Sequence, residues 1–302
     1  MANAKVSASD VFFGVAAPPG HSFRNKIIGL IALLAIGIAI AVLPLVIGIA
    51  ALEGVKFDDL RLLQLLVLMF LVMSVGNMTN DIIDAERDKT KYPLRPLATG
   101  LISKSEAVFY TVILSGIWIV IAIVFFNWLF LALGLLVLVG NLVYSLYMRD
   151  NIGYLTVFLP QALVPVAIWS AFSPETVLTP LPWLLALFMV VYTPVVQITH
   201  EGLDPSIPAL FIRPRPTTER ALYVASVIAV FFVGIAILLY APLSWLFVVV
   251  LAVFAAAFLS QARNLGDNRT REKLQTGFKM TIVGRYVFWL SIAVFAAFAW
   301  IK

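Results

Sequence analysis

Nine long apolar stretches separated by polar links run along the chain, at about 27–52, 62–86, 106–126, 128–147, 152–172, 180–203, 218–240, 242–262 and 279–300. About 20 residues at a helical rise of ~1.5 Å match the ~30 Å hydrocarbon core of a bilayer. The pattern predicts an all-α integral membrane protein with nine transmembrane helices. The first 22 residues are more polar, include Pro18-Pro19-Gly20, and read as a tail, not a cleavable signal. Residues 23–302 read as a single nine-helix domain without repeats.

The links carry their own signals. Pro93 and Pro96 follow the second stretch and should stop its helix, since proline lacks an N–H and restricts the residue before it. Ser103-Lys-Ser-Glu106 has the form of a capping box, with Ser103 as N-cap of the third helix.

Composition supports the membrane reading. Hydrophobic residues make up 62% of the 302 and charged residues only 12%, against about 25% charged in soluble domains. The chain has no cysteine, which excludes disulfides, thiolate metal sites and cysteine nucleophiles. With nine spans and a cytoplasmic N-terminus, the tail and every second link hold 18 of the 21 Lys and Arg, counting Lys279 and Arg285; only Lys56, Arg61 and Lys302 fall opposite. By the positive-inside rule this side faces the cytoplasm. The net charge of +5 then suits an anionic membrane surface and calls for no nucleic-acid partner.

One run departs from the apolar pattern. Between Arg61 and Asp81 there is no charge, and then Asn77-Met-Thr-Asn80-Asp81-Ile-Ile-Asp84-Ala-Glu-Arg-Asp88 ends the second stretch. Asn80, Asp84 and Asp88 recur every four residues and share a helix face, with Asn77 and Asp81 flanking it. Such oxygen-rich faces receive hard cations such as Mg²⁺. The next link, Lys89 to Gly100, adds Lys91 and Arg95, cations suited to phosphate oxygens. A charged helix end snorkelling to the interface is the simpler alternative.

At these residues the chain resembles a family. Gly76-Asn77-x-x-Asn80-Asp81-x-x-Asp84-x-x-x-Asp88, followed by Pro93-x-Arg95-Pro96-x-x-x-Gly100, is similar to the first signature of UbiA-type intramembrane prenyltransferases. The resemblance implies nine helices in a bundle around a central cavity, and a cytoplasm-facing active site in a cell or organelle inner membrane. It also implies Mg²⁺ as cofactor and a polyprenyl diphosphate as donor. Asn80, Asp84 and Asp88 would hold the metal, and Asn77, Lys91, Arg95 and Arg149 the diphosphate. Tyr144 and Arg149 fall in a segment resembling the family's link between helices four and five, although both also fit interfacial roles.

The second signature is altered. The family has a further DxxxD near the end of helix six; here the spacing from Asp204 reaches Pro208, which offers no side-chain ligand. Gln197 with Glu201, and His200 with Asp204, form i, i+4 pairs instead. Glu201 and Asp204 would hold a second metal in a shifted geometry, or Arg213, Arg215 or Arg149 would neutralise the diphosphate around a single one. Tyr144, Gln197 and His200 would lie near the acceptor.

The implied reaction is Mg²⁺-dependent transfer of a polyprenyl group to an aromatic or lipid acceptor in the membrane, with Asp81 or Asp84 taking the acceptor's proton. A terpene cyclase would use the same donor without an acceptor. A secondary transporter would place broken helices and ionisable groups near the bilayer midplane, whereas these acidic groups sit at a helix end. A non-catalytic membrane protein would tolerate alanine throughout the stripe.

Overall fold

The computed structural model describes residues 6–201, 216–265 and 270–300, and among these every regular element is a helix. A capped turn, α1 (Ala8–Phe12), precedes α2 (Phe23–Leu34), α3 (Ile36–Ala39) and α4 (Leu43–Leu52). Then follow α5 (Leu60–Lys91), α6 (Lys104–Phe125), α7 (Trp128–Val143), α8 (Arg149–Asn151), α9 (Phe158–Phe172), α10 (Pro180–Glu201), α11 (Pro216–Tyr240), α12 (Phe247–Gln261) and α13 (Arg271–Trp300). Among the described residues nine helical segments are long and apolar enough to cross a membrane, matching the expected number. The first is assembled from α2, α3 and α4, with Ala35 in left-handed conformation (φ 46°) between α2 and α3.

The chain forms two compact units. One holds the residues up to Leu43 together with Leu63–Phe126; the other holds Pro44–Leu62 and the chain from Asn127 onward. In the first unit, the link between α5 and α6 buries Leu97, Leu101 and Ile102. Leu97 and Ile102 pack with Leu33, Met78, Ala85 and Ala107, and Leu101 with Ala17 and Ala32. The link's Leu94 carbonyl accepts from the Ala17 N–H at 2.8 Å, and Lys26 pairs with Glu106 at 2.9 Å. The capping box forms as expected: the Glu106 N–H donates to Ser103 Oγ, and the Ser103 N–H to Glu106 Oε2 at 2.8 Å. Together these fix the link, and with it Arg95.

Within the second unit, helices approach closely at glycines. Lipid tails are as apolar as leucine, so packing between spans depends on van der Waals fit. A Cβ at Gly140 would lie 2.9 Å from Pro160, one at Gly234 2.5 Å from Leu251, and one at Gly48 3.0 Å from the Trp289 carbonyl. In the same unit Glu53, Lys56, Asp58, Asp59, Arg61 and Ser173 line a cavity of about 480 Å³. Burial raises the pKa of Glu53, as does Glu175 nearby, against a hydrogen bond from Ser173.

Two outcomes follow from this packing. Gly140→Ala should lower the thermal midpoint in detergent by the equivalent of about 1–3 kcal/mol, since the Pro160 ring cannot yield. Gly116→Ala, with open space at its Cβ, should not; equal midpoints would refute the close approach. For Glu53 the folded-state pKa lies above the unfolded one, so its favourable contribution holds at acid pH and is lost as pH rises through the folded value. Glu53→Gln should therefore raise the midpoint over the parent at pH 7.5, with the gap closing near pH 4; a pH-independent gap would refute it.

Candidate active site

α5 supplies the core of the site. Its membrane-crossing segment Leu60–Thr90 has 31 residues, about 46 Å at helical rise, longer than the ~30 Å hydrocarbon core. The acidic end of α5 therefore extends past the apolar layer. No proline interrupts α5, and helix geometry sets its polar groups in register. At ~100° per residue, Asn77, Asp81, Asp84 and Asp88 fall within about 60° of one another, and Asn80 lies to one side.

Arg95 closes over this face. Its Nη1 donates to Asp81 Oδ1 at 3.0 Å and to Asp88 Oδ2 at 2.7 Å. It reaches them because the link turns back at once: the Arg95 N–H donates to the Tyr92 carbonyl at 2.9 Å and the Thr99 N–H to the Arg95 carbonyl at 3.0 Å. The guanidinium also lies over the Tyr92 ring, 4.4 Å from its centroid. Burial opposes its charge, but the Asp81 and Asp88 carboxylates outweigh burial and hold its pKa above the ordinary arginine value. Asp88 is 3% exposed, so its charge would be costly without this partner. Asp84 pairs with Arg87 at 2.6 Å. Three carboxylates and two guanidinium groups leave a formal local charge of −1.

Carboxylate and amide oxygens are the donors that Mg²⁺ takes, and it commonly uses one or two carboxylates and completes its shell with water and phosphate. Asn80, Asp84 and Asp88 offer such a set, and the buried Asn77 Nδ2 has no partner and remains available for an acceptor oxygen. Among the described residues no three His, Cys, Asp or Glu side chains converge on one point. The set thus fits an ion shared with a phosphate ligand better than a closed protein cage.

The other expected residues fall elsewhere. Lys91 ends α5, and His200 and Glu201 end α10; only their backbone is described. Asp204, Pro208, Arg213 and Arg215 lie outside the described residues. Gln197 sits on α10 with its buried Oε1 unpartnered. A π-helical turn, Tyr144–Met148, joins α7 to α8. It sets two nearby tyrosines apart: Tyr144 is 7% exposed and donates to the Tyr154 carbonyl at 3.2 Å, whereas Tyr147 is 58% exposed. Arg149 is buried and pairs with Asp150 at 3.2 Å. Sequence reasoning missed the pairing of Arg87 with Asp84. It also counted Arg285 with the cytoplasmic links; Arg285 lies nine residues into the apolar helical segment Thr276–Ala299.

Comparison with known proteins agrees with the architecture. A digeranylgeranylglyceryl phosphate synthase of Pyrococcus horikoshii is 35% identical over 126 residues, 39% of this chain and 46% of that protein. The chain thus aligns with less than half the length of the curated relatives it matches. A UbiA homolog from Aeropyrum pernix superposes with a TM-score of 0.67 at 21% identity, over 85% of this chain and 97% of the other. A UbiA homolog from Archaeoglobus fulgidus, solved with GPP and Mg²⁺, gives 0.54 at 18% identity over 89% and 99%. At those identities the superpositions establish the fold. The UbiA prenyltransferase family profile matches residues 41–292, and the chain belongs to that family.

Proposed function

We propose that this protein transfers a polyprenyl group from a polyprenyl diphosphate to a lipid acceptor, a prenylated glycerol phosphate, within the membrane. The observation that carries the reading is the hold of Arg95 on Asp81 and Asp88 at the end of α5. Similarity to the Pyrococcus digeranylgeranylglyceryl phosphate synthase supports a glycerol-phosphate lipid over an aromatic acceptor. The GPP and Mg²⁺ in the Archaeoglobus homolog support the donor class and the ion.

Asn80, Asp84 and Asp88 would hold Mg²⁺, which when bound supplies positive charge to the departing diphosphate. Arg95 cannot serve Asp88 and a diphosphate equally. With another cation at the carboxylates, its guanidinium would be free to pair with the phosphate oxygens, where bidentate pairing is strong. The family resemblance assigns Asn77, Lys91 and Arg149 to the grip on the donor. The allylic C–O bond then breaks, its electron pair leaving with diphosphate, and an acceptor hydroxyl oxygen bonds to the allylic carbon. The released proton goes to Asp81, made more basic by the departure of Arg95. Glu201 and Asp204 are assigned to a second ion, with Tyr144, Gln197 and His200 toward the acceptor, on a site that opens to the cytoplasm.

Purified protein given geranylgeranyl diphosphate, Mg²⁺ and either geranylgeranylglyceryl phosphate or an aromatic acid should yield an ether product with the lipid only, read by mass spectrometry. Cyclic products formed without acceptor would replace transfer with cyclisation, and no diphosphate release would end both. Asp88→Asn should lower turnover at least about a hundredfold through lost stabilisation of the leaving group. Arg95→Gln should destabilise the ligand-free protein by about 3–5 kcal/mol, because it strands Asp81 and Asp88. Its thermal midpoint should then rise more with Mg²⁺ than the parent's; equal Mg²⁺ responses would count against exchange of Arg95 for the ion.

A further inference from the structure

Residues 7–20, polar enough to read as a tail, are tied down at both ends. Ser7 and Asp10 cap α1 reciprocally, the Ser7 N–H donating to Asp10 Oδ2 at 2.9 Å and the Asp10 N–H to Ser7 Oγ at 3.1 Å. Gly14 (φ 71°) then turns the chain, and the Val15 N–H donates to the Asp10 carbonyl at 2.8 Å. Farther on, Asn25 Nδ2 donates to the Pro19 carbonyl at 2.7 Å, and the Asn25 N–H to Ser22 Oγ at 3.1 Å. Between these ties the segment meets the first span where that span breaks. Ala35 is the one residue other than glycine with positive φ among the described residues, a conformation that is costly for an L side chain and lasts only where packing holds it. A Cβ at Gly14 would lie 2.7 Å from the Ala32 carbonyl and 3.0 Å from the Ala35 Cβ. A Cβ at Gly37 would lie 2.6 Å from the Phe13 ring and 2.7 Å from that of Phe12. The segment is seated against both sides of the break.

From there it reaches the link between α5 and α6. Ala17, 1% exposed, packs with Ala32 and Leu101, with Val11 alongside. Its N–H donates to the Leu94 carbonyl at 2.8 Å, one residue before Arg95. Gly29 of α2 also lies against Leu101, where a Cβ would come within 2.8 Å of the side chain. The backbone that carries Arg95 is thus held just before it by Ala17 and just after it by the packing of Leu97. Arg95 Nη1 meets Asp81 and Asp88, while its buried Nε has no hydrogen-bond partner among the described residues, so its fork is only partly engaged. All of these residues belong to the first unit.

We propose that residues 7–20 form a positioning strap for Arg95, acting through the Ala17–Leu94 hydrogen bond and the seat of Phe12, Phe13 and Gly14 at the break in the first span. The strap supplies no group to the metal or the donor. It holds the link in the shape that delivers the guanidinium to Asp81 and Asp88. Its effect on donor binding rests on the transfer reading above, whereas its effect on the link does not.

The test compares the full chain with three variants in detergent. Ala17→Pro removes the N–H donor, Ala17→Gly keeps it, and Gly14→Ala forces the strap off the Ala32 carbonyl. Hydrogen exchange read by mass spectrometry, without substrate, should run about tenfold or more faster over residues 92–102 in Ala17→Pro and Gly14→Ala than in the parent. Ala17→Gly should exchange there close to the parental rate, and α9 should be unchanged in all three. In the transfer assay the same two variants should raise the KM for the prenyl diphosphate about tenfold and leave the acceptor KM alone; simple loss of folded protein lowers apparent kcat and moves neither KM. On an Arg95→Gln background they should raise the donor KM no further, because no guanidinium is left to position. Parental exchange at 92–102 in both Ala17→Pro and Gly14→Ala overturns the proposal, as does equally faster exchange in α9. An undiminished rise in donor KM on the Arg95→Gln background also overturns it. Faster exchange confined to the link, in a protein whose parent releases no diphosphate, keeps the strap and removes the transfer reading. If neither variant folds, Phe13→Ala, which trims the ring seated at Gly37, takes their place with the same outcomes.

Discussion

Arg95 holding Asp81 and Asp88 is the interaction on which the first unit depends. A helix end with carboxylates at Asp81, Asp84 and Asp88 on one face cannot bury one of them without a cation, and Asp88 is buried. The cation comes from the link after the helix, so the link must have one shape. Pro93 and Pro96 end α5, Leu97, Leu101 and Ile102 anchor the turn, and the Ser103–Glu106 box starts α6 beneath it. Each device is modest alone, but all aim one guanidinium. The same geometry leaves the site responsive: carboxylates already paired with cations can exchange them, whereas an unpaired cluster would carry its repulsion permanently.

The second unit solves a different problem. Its helices are apolar on nearly all sides, so water exclusion gives little reason for one arrangement over another within lipid. Shape supplies the reason instead. Gly48, Gly140 and Gly234 let backbones approach Trp289, Pro160 and Leu251. Stacked rings on α10, α12 and α13, with Phe188 on Phe288 at 3.9 Å between centroids, fill the space between them. Polar groups there must find partners inside the bundle, as Asn127 Nδ2 does at the Ser170 carbonyl (2.5 Å) and Tyr192 at Thr281.

Much of this was legible in the sequence. Nine apolar stretches match nine helical segments among the described residues, because length and hydropathy are one-dimensional properties. The prolines and the capping box acted locally and read correctly. The acidic stripe was found by spacing, but its central partner arrangement was not. Spacing gives which residues share a face, and whether Arg95 meets Asp81 and Asp88 or points away depends on how a 12-residue link folds. Tyr144 and Tyr147 show the same limit: a helix with regular pitch would keep them on adjacent positions of one face, and the π-helical turn buries one and exposes the other. The altered second signature at 197–208 falls largely outside the described residues, so its chemistry stays at the level of the sequence.

Arg285 is the instructive miss. Counting positive charges by side treats every Lys and Arg near a helix end as a topological label. Arg285 lies nine residues into the apolar segment Thr276–Ala299, with apolar residues on both sides of it. Comparing the two arginines explains the difference in kind. Arg95 is half-buried beside two anions that the chain itself supplies, and its charge organises the link. Arg285 is only partly buried, on the packed face of α13, and no carboxylate among the described residues pairs with it. A buried ion pair can be kept for structure; an inward-facing cation with no carboxylate partner among the described residues points to a role beyond structure.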